Sequence, residues 1–174
     1  MFQYRQQELY IEDCAIKELV KHYGTPLYVY SQNTISAAFK YYQQVFSSFA
    51  LLLCYAVKAN SNLSILSHLA HLGAGFDIVS GGELQRVLTV GVHPQKIIFS
   101  GVNKSEDEIE LALKTDILCF NIESLPEIER IQKIARRLRK KAPISFRINP
   151  NIDAKTHPYI STGLRNNKFG IPYE

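Results

Sequence analysis

From residue 50 onward the chain alternates between two kinds of segment, and that alternation limits what it can fold into. Short runs of β-type residues occupy Leu51–Val57, Phe76–Val79, Ile97–Ser100, Ile117–Asn121 and Ile144–Asn149, and helix-period segments lie between them at about 62–72, 81–90, 105–114 and 124–140. The spacing is that of one strand-plus-helix unit, so it predicts a parallel sheet joined by right-handed crossovers. Local signals agree. Ser80 with Glu83, Ser105 with Glu108 and Ser124 with Glu127 have the spacing of capping boxes, and Gly73 is placed to stop the first of these helices in a left-handed conformation. In the last helix Ile128, Ile131, Ile134 and Leu138 share one face.

A parallel sheet of this kind is either open and doubly wound or closed into a barrel, and in both cases function gathers at the carboxyl ends of the strands. The fifth strand favours closure. Ile144, Phe146 and Ile148 alternate with Ser145, Arg147 and Asn149, so the apolar set packs under helices while the polar set lines an interior. Asp77 alternates in the same way with Phe76 and Ile78, and Lys58 shares a face with Ala56 and Cys54. An exposed edge strand is the other reading of Arg147. The fold class expected is therefore α/β, a truncated (β/α)8 barrel with about five of its eight units. Residues 50–174 form the partial barrel. Residues 1–49 form an N-terminal segment with one strand and a lead-in helix. The stretch after Asn149 reads as a long loop with no closing structure, as if the chain stopped partway through a domain.

Composition excludes several classes. Apolar residues make up 46% and charged residues 21% of 174, as in ordinary globular proteins. The basic run Arg136, Arg137, Arg139, Lys140 and Lys141 ends a helix, where cations complement the dipole, and no aromatics interleave it. Nucleic acid is thus not an expected partner. No apolar run approaches membrane-spanning length, and "MFQYRQQELY" has no apolar signal core, so no membrane partner is expected either. Cys14, Cys54 and Cys119 have no metal-binding spacing, which points to a reducing, cytoplasmic setting without a metal site.

The chemistry-bearing residues sit at strand ends. Lys58 in "YAVKAN" either marks where a buried strand meets water or carries an amine suited to a Schiff base with an aldehyde. Asp77 either pairs with a cation such as Lys58 or Arg147, or is a structural carboxylate. His157 lies in a loop without a metal-spaced partner. The glycines of "GAGFDIVSGGEL" match no phosphate-loop pattern.

Six stretches carry a resemblance: "YGTPLYVYS", "CYAVKANSNLSIL", "GAGFDIVSGGEL", "FSGVNKSEDEI", "SFRINPNIDAKTHPYISTG" and "NKFGI". In this order the chain resembles the amino-terminal part of the barrel-type pyridoxal-phosphate-dependent decarboxylases, a group related to ornithine decarboxylase and alanine racemase. "THPYISTG" with "NKFG" is similar to the branch that acts on diaminopimelate. The resemblance implies that Lys58 holds pyridoxal phosphate covalently and that Asp77 and Arg147 lie beside the cofactor. It implies decarboxylation of meso-diaminopimelate to L-lysine by a homodimer, and places His157 to Gly163 in a loop distinctive of the branch. It also implies that "GTPLYVY" supplies a strand to a β-domain, and that a chain of this length is inactive alone. The alternatives are a non-catalytic cofactor- or partner-binding remnant, or a decarboxylase of ornithine or arginine.

Overall fold

The computed structural model describes residues 2–153, 155–157, 160–164 and 167–173. The chain divides into two compact units, residues 1–51 and 52–174.

The first unit begins with an antiparallel meander of β1 (Phe2–Arg5), β2 (Glu8–Ile11) and β3 (Cys14–Ala15). Arg5 pairs with Glu8, and the two residues between them, Gln6 and Gln7, both have positive φ (49° and 68°). That is the backbone of a two-residue hairpin turn whose twist matches the flanking strands. Two helices follow, α1 (Ile16–Tyr23) and α2 (Gln32–Val45). The second is capped twice: Ser31 Oγ accepts from Thr34 N at 3.0 Å, while Glu12 accepts from Asn33 N at 2.8 Å and from Ser31 Oγ at 2.7 Å. Residues 27–30, expected to be extended for a β-domain, form no ladder.

The second unit carries five parallel strands in sequential order, β4 (Cys54–Ala56), β5 (Gly75–Ile78), β6 (Ile97–Phe99), β7 (Cys119–Ile122) and β8 (Ile144–Phe146). Helices α3 (Leu63–His71), α4 (Gly81–Thr89), α5 (Glu106–Thr115) and α6 (Leu125–Arg137) connect them. The order never reverses, so the sheet is singly wound, as in a barrel, and has no doubly wound switch point. One face of the sheet is the core. Phe76, Ile78, Ile97, Phe99, Phe120 and Ile122 are fully buried, together with Leu66, Leu84, Ile109, Ile131 and Ile134 from the four helices. Each such side chain contributes about 1.5–3 kcal/mol by leaving water. The opposite face carries Cys54, Asp77, Cys119, Asn121 and Ser145, none of them fully buried.

The four helices of this unit end in one device. After α3, Gly73 N donates to Ala70 O and Ala74 N to Leu69 O, a Schellman pair closed by a residue at φ +93°. The same two bonds recur after α4 at Gly91, after α5 at Asp116 (φ 59°) and after α6 at Arg139 (φ 55°).

Several expectations are corrected. The first strand covers only Cys54–Ala56, because Val57–Ala59 turn into a short 3-10 helix that carries Lys58. Ser105 and Glu108 form a full capping box. At α4 Ser80 accepts from Glu83 N, but Glu83 reaches back to Val79 N instead of Ser80 N. Ser124 makes no side-chain cap at all, and Glu127 is engaged elsewhere. The fifth strand is interrupted at Arg147. It resumes as β9 (Ile148–Asn149), which pairs in parallel with β10 (Ile171–Pro172). A sixth strand position is therefore started, where a structureless loop was expected. Gly170 permits this approach: its φ is +75°, and a Cβ there would lie 2.9 Å from Arg147 O.

Candidate functional site

The carboxyl ends of the parallel strands open into a cavity of about 700 Å3 lined by Lys58, Asp77, Val79, Ser100–Asn103, Asn121, Ser145–Arg147 and Phe169. Strand register explains the grouping. Ala56 pairs with Asp77, Ile98 with Cys119 and Asn121 with Ser145, so inward residues of successive strands stand at similar heights. The three residues singled out from the sequence, Lys58, Asp77 and Arg147, all reach this one space.

Their partners differ from the sequence reading. Lys58 is exposed and makes no hydrogen bond or ion pair among the described residues. Asp77 pairs with neither Lys58 nor Arg147. Its Oδ1 is buried and finds no hydrogen-bond partner among the described residues. Leaving a buried acceptor unpaired costs about 1–3 kcal/mol, so the site holds an unsatisfied demand for a donor. Arg147 pairs instead with Glu123, Nη1 donating to Oε1 at 2.9 Å, and its guanidinium lies 4.7 Å from the centroid of the Phe169 ring.

Between Asp77 and Arg147 runs a polar ladder. Asn121 Nδ2 donates to Ser100 Oγ at 2.9 Å, and Ser145 Oγ donates to Asn121 Oδ1 at 2.6 Å. Cys54 and Cys119 stand near Asp77. Burial, then the Asp77 charge and the Cys119 thiol, push the Cys54 thiol up to about 11. Burial and Asp77 raise Cys119 as well. Both are neutral thiols at physiological pH and contribute no nucleophile.

Sequence reasoning missed the ionic layer behind the cavity. Lys104 is fully buried. Its Nζ donates to Gly101 O at 2.8 Å, to Asn121 O at 2.9 Å and to Glu127 Oε1 at 2.5 Å. Glu127 Oε2 accepts from Glu123 N at 2.8 Å. Glu123 in turn holds Arg147 and accepts from Gly170 N at 2.9 Å. The expected fourth strand ended at Asn121, whereas β7 continues to Ile122. One more residue would have put Glu123 under the strand-end rule that selected Lys58 and Asp77. Asn149, grouped with the inward polar residues, is buried and does not line the cavity: its Nδ2 donates to Leu164 O and Phe169 O. In the loop from His157 to Gly163, Ile160 N donates to His157 O, and Gly163 O accepts from Ile152 N. Pro158 and Tyr159 of that loop lie outside the described residues.

A free primary amine, an unpaired buried carboxylate oxygen and a guanidinium around one roomy cavity fit an aldehyde-bearing, anionic, ring-nitrogen cofactor. The amine suits the aldehyde, the cation suits the anion, and the unpaired Asp77 oxygen suits a hydrogen-bond donor.

Residues 32–174 match the family model for the pyridoxal-binding domain of the pyridoxal-dependent decarboxylases. The chain is similar to diaminopimelate decarboxylase of Neisseria meningitidis serogroup B, 62% identical over 165 residues, which are 95% of this chain and 40% of that protein. Among solved structures it is similar to diaminopimelate decarboxylase from Helicobacter pylori complexed with L-lysine, at 57% identity and a TM-score of 0.87, over 90% of this chain and 40% of that one. It is also similar to diaminopimelate decarboxylase from M. jannaschii in co-complex with L-lysine, at 38% identity and a TM-score of 0.91, over 99% of this chain and 41% of that one. The chain thus spans about 40% of the length of the relatives it matches.

Proposed function

We propose that this chain, which belongs to the pyridoxal-dependent decarboxylases, forms the Lys58-bearing part of an enzyme that decarboxylates meso-diaminopimelate to L-lysine. The observation that carries the reading is the convergence of Lys58, Asp77 and Arg147 on one cavity at the carboxyl ends of a singly wound parallel sheet. Pyridoxal phosphate, when bound, supplies an electron sink for the pair left behind by departing carbon dioxide.

The chain's own residues then have separate tasks. Lys58 Nζ, unpaired at the cavity rim among the described residues, would hold the cofactor covalently through its aldehyde, with loss of water, and as a free amine would be the cavity group able to carry a proton. Asp77 Oδ1 accepts a hydrogen bond from a cationic nitrogen in the cavity, which satisfies its unmet demand. Arg147 presents a guanidinium, always charged, to an anionic group. The ladder of Ser100, Asn121 and Ser145 keeps the wall between them polar and aligned. The same reading takes the enzyme to be a cytoplasmic homodimer. Its three cysteines are free, which suits a reducing compartment, and among the described residues no helix is long and apolar enough to cross a membrane.

The test is borohydride reduction of the protein in the presence of pyridoxal phosphate, followed by peptide mapping. The tag is expected on Lys58 and absent from Lys58→Ala. A tag confined to other lysines refutes the assignment. Release of carbon dioxide from meso-diaminopimelate by an assembly that supplies the rest of the enzyme, with ornithine and arginine as competitors for the assignment, decides the substrate.

A further inference from the structure

Glu123 is almost wholly enclosed, its side chain 2% exposed, yet it touches the cavity only through what it holds. One carboxylate oxygen takes Arg147 Nη1 and the other takes the backbone N–H of Gly170. Arg147 comes from the break between β8 and β9, and Gly170 from the segment that enters β10, 47 residues after Glu123. The carboxylate therefore joins two walls of the cavity. The guanidinium is held between this carboxylate and the ring of Phe169, the neighbour of Gly170.

Glu123 is itself held from behind. Its N–H is bound by Glu127, whose other oxygen is bound by the buried ammonium of Lys104. Two cations flank two carboxylates in the order Lys104, Glu127, Glu123, Arg147, with the backbone N–H of Glu123 between the carboxylates and no excess charge. A buried carboxylate is costly unless paired and hydrogen-bonded, and here every oxygen is engaged. Arg147, in contrast, is 41% exposed and could be solvated without Glu123. The enclosed carboxylate is thus the ordering element, and the arginine is the group ordered.

We propose that Glu123 is a positioning residue that fixes the Arg147 guanidinium, and the Phe169–Gly170 wall behind it, at the cavity. The consequence for cofactor affinity rests on the function proposed above; the consequence for Arg147 itself does not. A flexible arginine loses rotamer freedom when it engages a ligand, and a clamped one has already lost it. Glu123 therefore acts on an anion bound in the cavity without touching it.

The experiment compares Glu123→Gln, Arg147→Gln and the double variant in the purified protein. The glutamine keeps the volume and one acceptor and removes the charge, and the exposed Arg147 that remains can be hydrated, so the fold survives. The first readout is the side-chain Nη–H resonance of Arg147 by NMR, assigned through its loss in Arg147→Gln. It is expected to be sharp and slowly exchanging in the parent protein and averaged toward free arginine in Glu123→Gln. The second is pyridoxal phosphate affinity, expected to fall about tenfold in Glu123→Gln, about tenfold in Arg147→Gln and no further in the double variant. An unchanged Arg147 resonance in Glu123→Gln overturns the proposal, as does a double variant whose affinity loss is the product of the two single losses. If the parent protein does not bind pyridoxal phosphate, the proposed function fails, and the Arg147 resonance alone still decides the role of Glu123.

Discussion

Replacing Lys104 with methionine tests whether the ionic layer behind the cavity holds the fold or merely decorates it. The methionine fits the apolar path of the lysine stem but carries no charge. Its side chain would replace one that is 0% exposed, against a Glu127 that is 5% exposed. Glu127 would keep the Glu123 N–H and lose its cation, while the Gly101 and Asn121 carbonyls would lose a donor. Removing one partner of a buried pair costs about 3–5 kcal/mol, because a buried charge is left uncompensated. For a chain of this size that corresponds to a fall in Tm of about 6–20 °C. Adding Glu127→Gln removes the stranded charge and keeps an acceptor for Glu123 N–H. The double variant is expected to recover about 1–3 kcal/mol relative to Lys104→Met. The control is the exposed pair Lys133–Glu106, at 3.7 Å, where Lys133→Met should cost less than about 0.5 kcal/mol. Urea unfolding of the four proteins, read at constant m value, gives all the terms. The reasoning is refuted if Lys104→Met costs no more than Lys133→Met, or if Glu127→Gln adds a further loss in the methionine background.

Arg139→Gly is expected to stabilise the protein by about 0.5–1 kcal/mol, because an exposed non-glycine residue holds a left-handed φ of 55° there; thermal melts check the sign. Burial alone would raise the Glu108 carboxyl, but hydrogen bonds from Gly81 N, Ser105 N and Ser105 Oγ outweigh it and lower its pKa below 4.5. Its contribution is therefore present above the ordinary carboxylate range and is lost as pH falls through the folded value. The Tm gap between the parent and Glu108→Gln should be open at pH 7 and close as pH falls below the ordinary carboxylate range. Cys14 is exposed whereas burial raises Cys54 and Cys119, so a disulfide-exchange reagent at pH 8 should modify Cys14 first. Equal rates at all three thiols would contradict the burial of the two inner ones.

Much of the fold follows from short-range pattern. The alternation of strand and helix periods, the inward turn of every second strand residue and the placement of polar groups at strand ends are properties of neighbouring residues. They were enough to bring Lys58, Asp77 and Arg147 to one cavity. Where local signals were atypical, the reading failed for a definite reason. The first hairpin turns on Gln6-Gln7, side chains that rarely accept positive φ, so no turn signature marked it. Ser124 and Glu127 have capping-box spacing, but Glu127 is engaged by a buried lysine instead of the Ser124 N–H. The ionic layer was beyond reach of any local rule. Lys104 and Glu127 are 23 residues apart, and Glu123 and Arg147 are 24 apart. Such partners meet only when adjacent parallel strands bring one strand-plus-helix unit beside the next, since a charge in sequence carries no record of which distant charge will neutralise it. The same holds for β10, two residues whose pairing with Ile148 and Asn149 depends on Gly170, where a Cβ would lie 2.9 Å from Arg147 O, a backbone atom that the sequence does not place there.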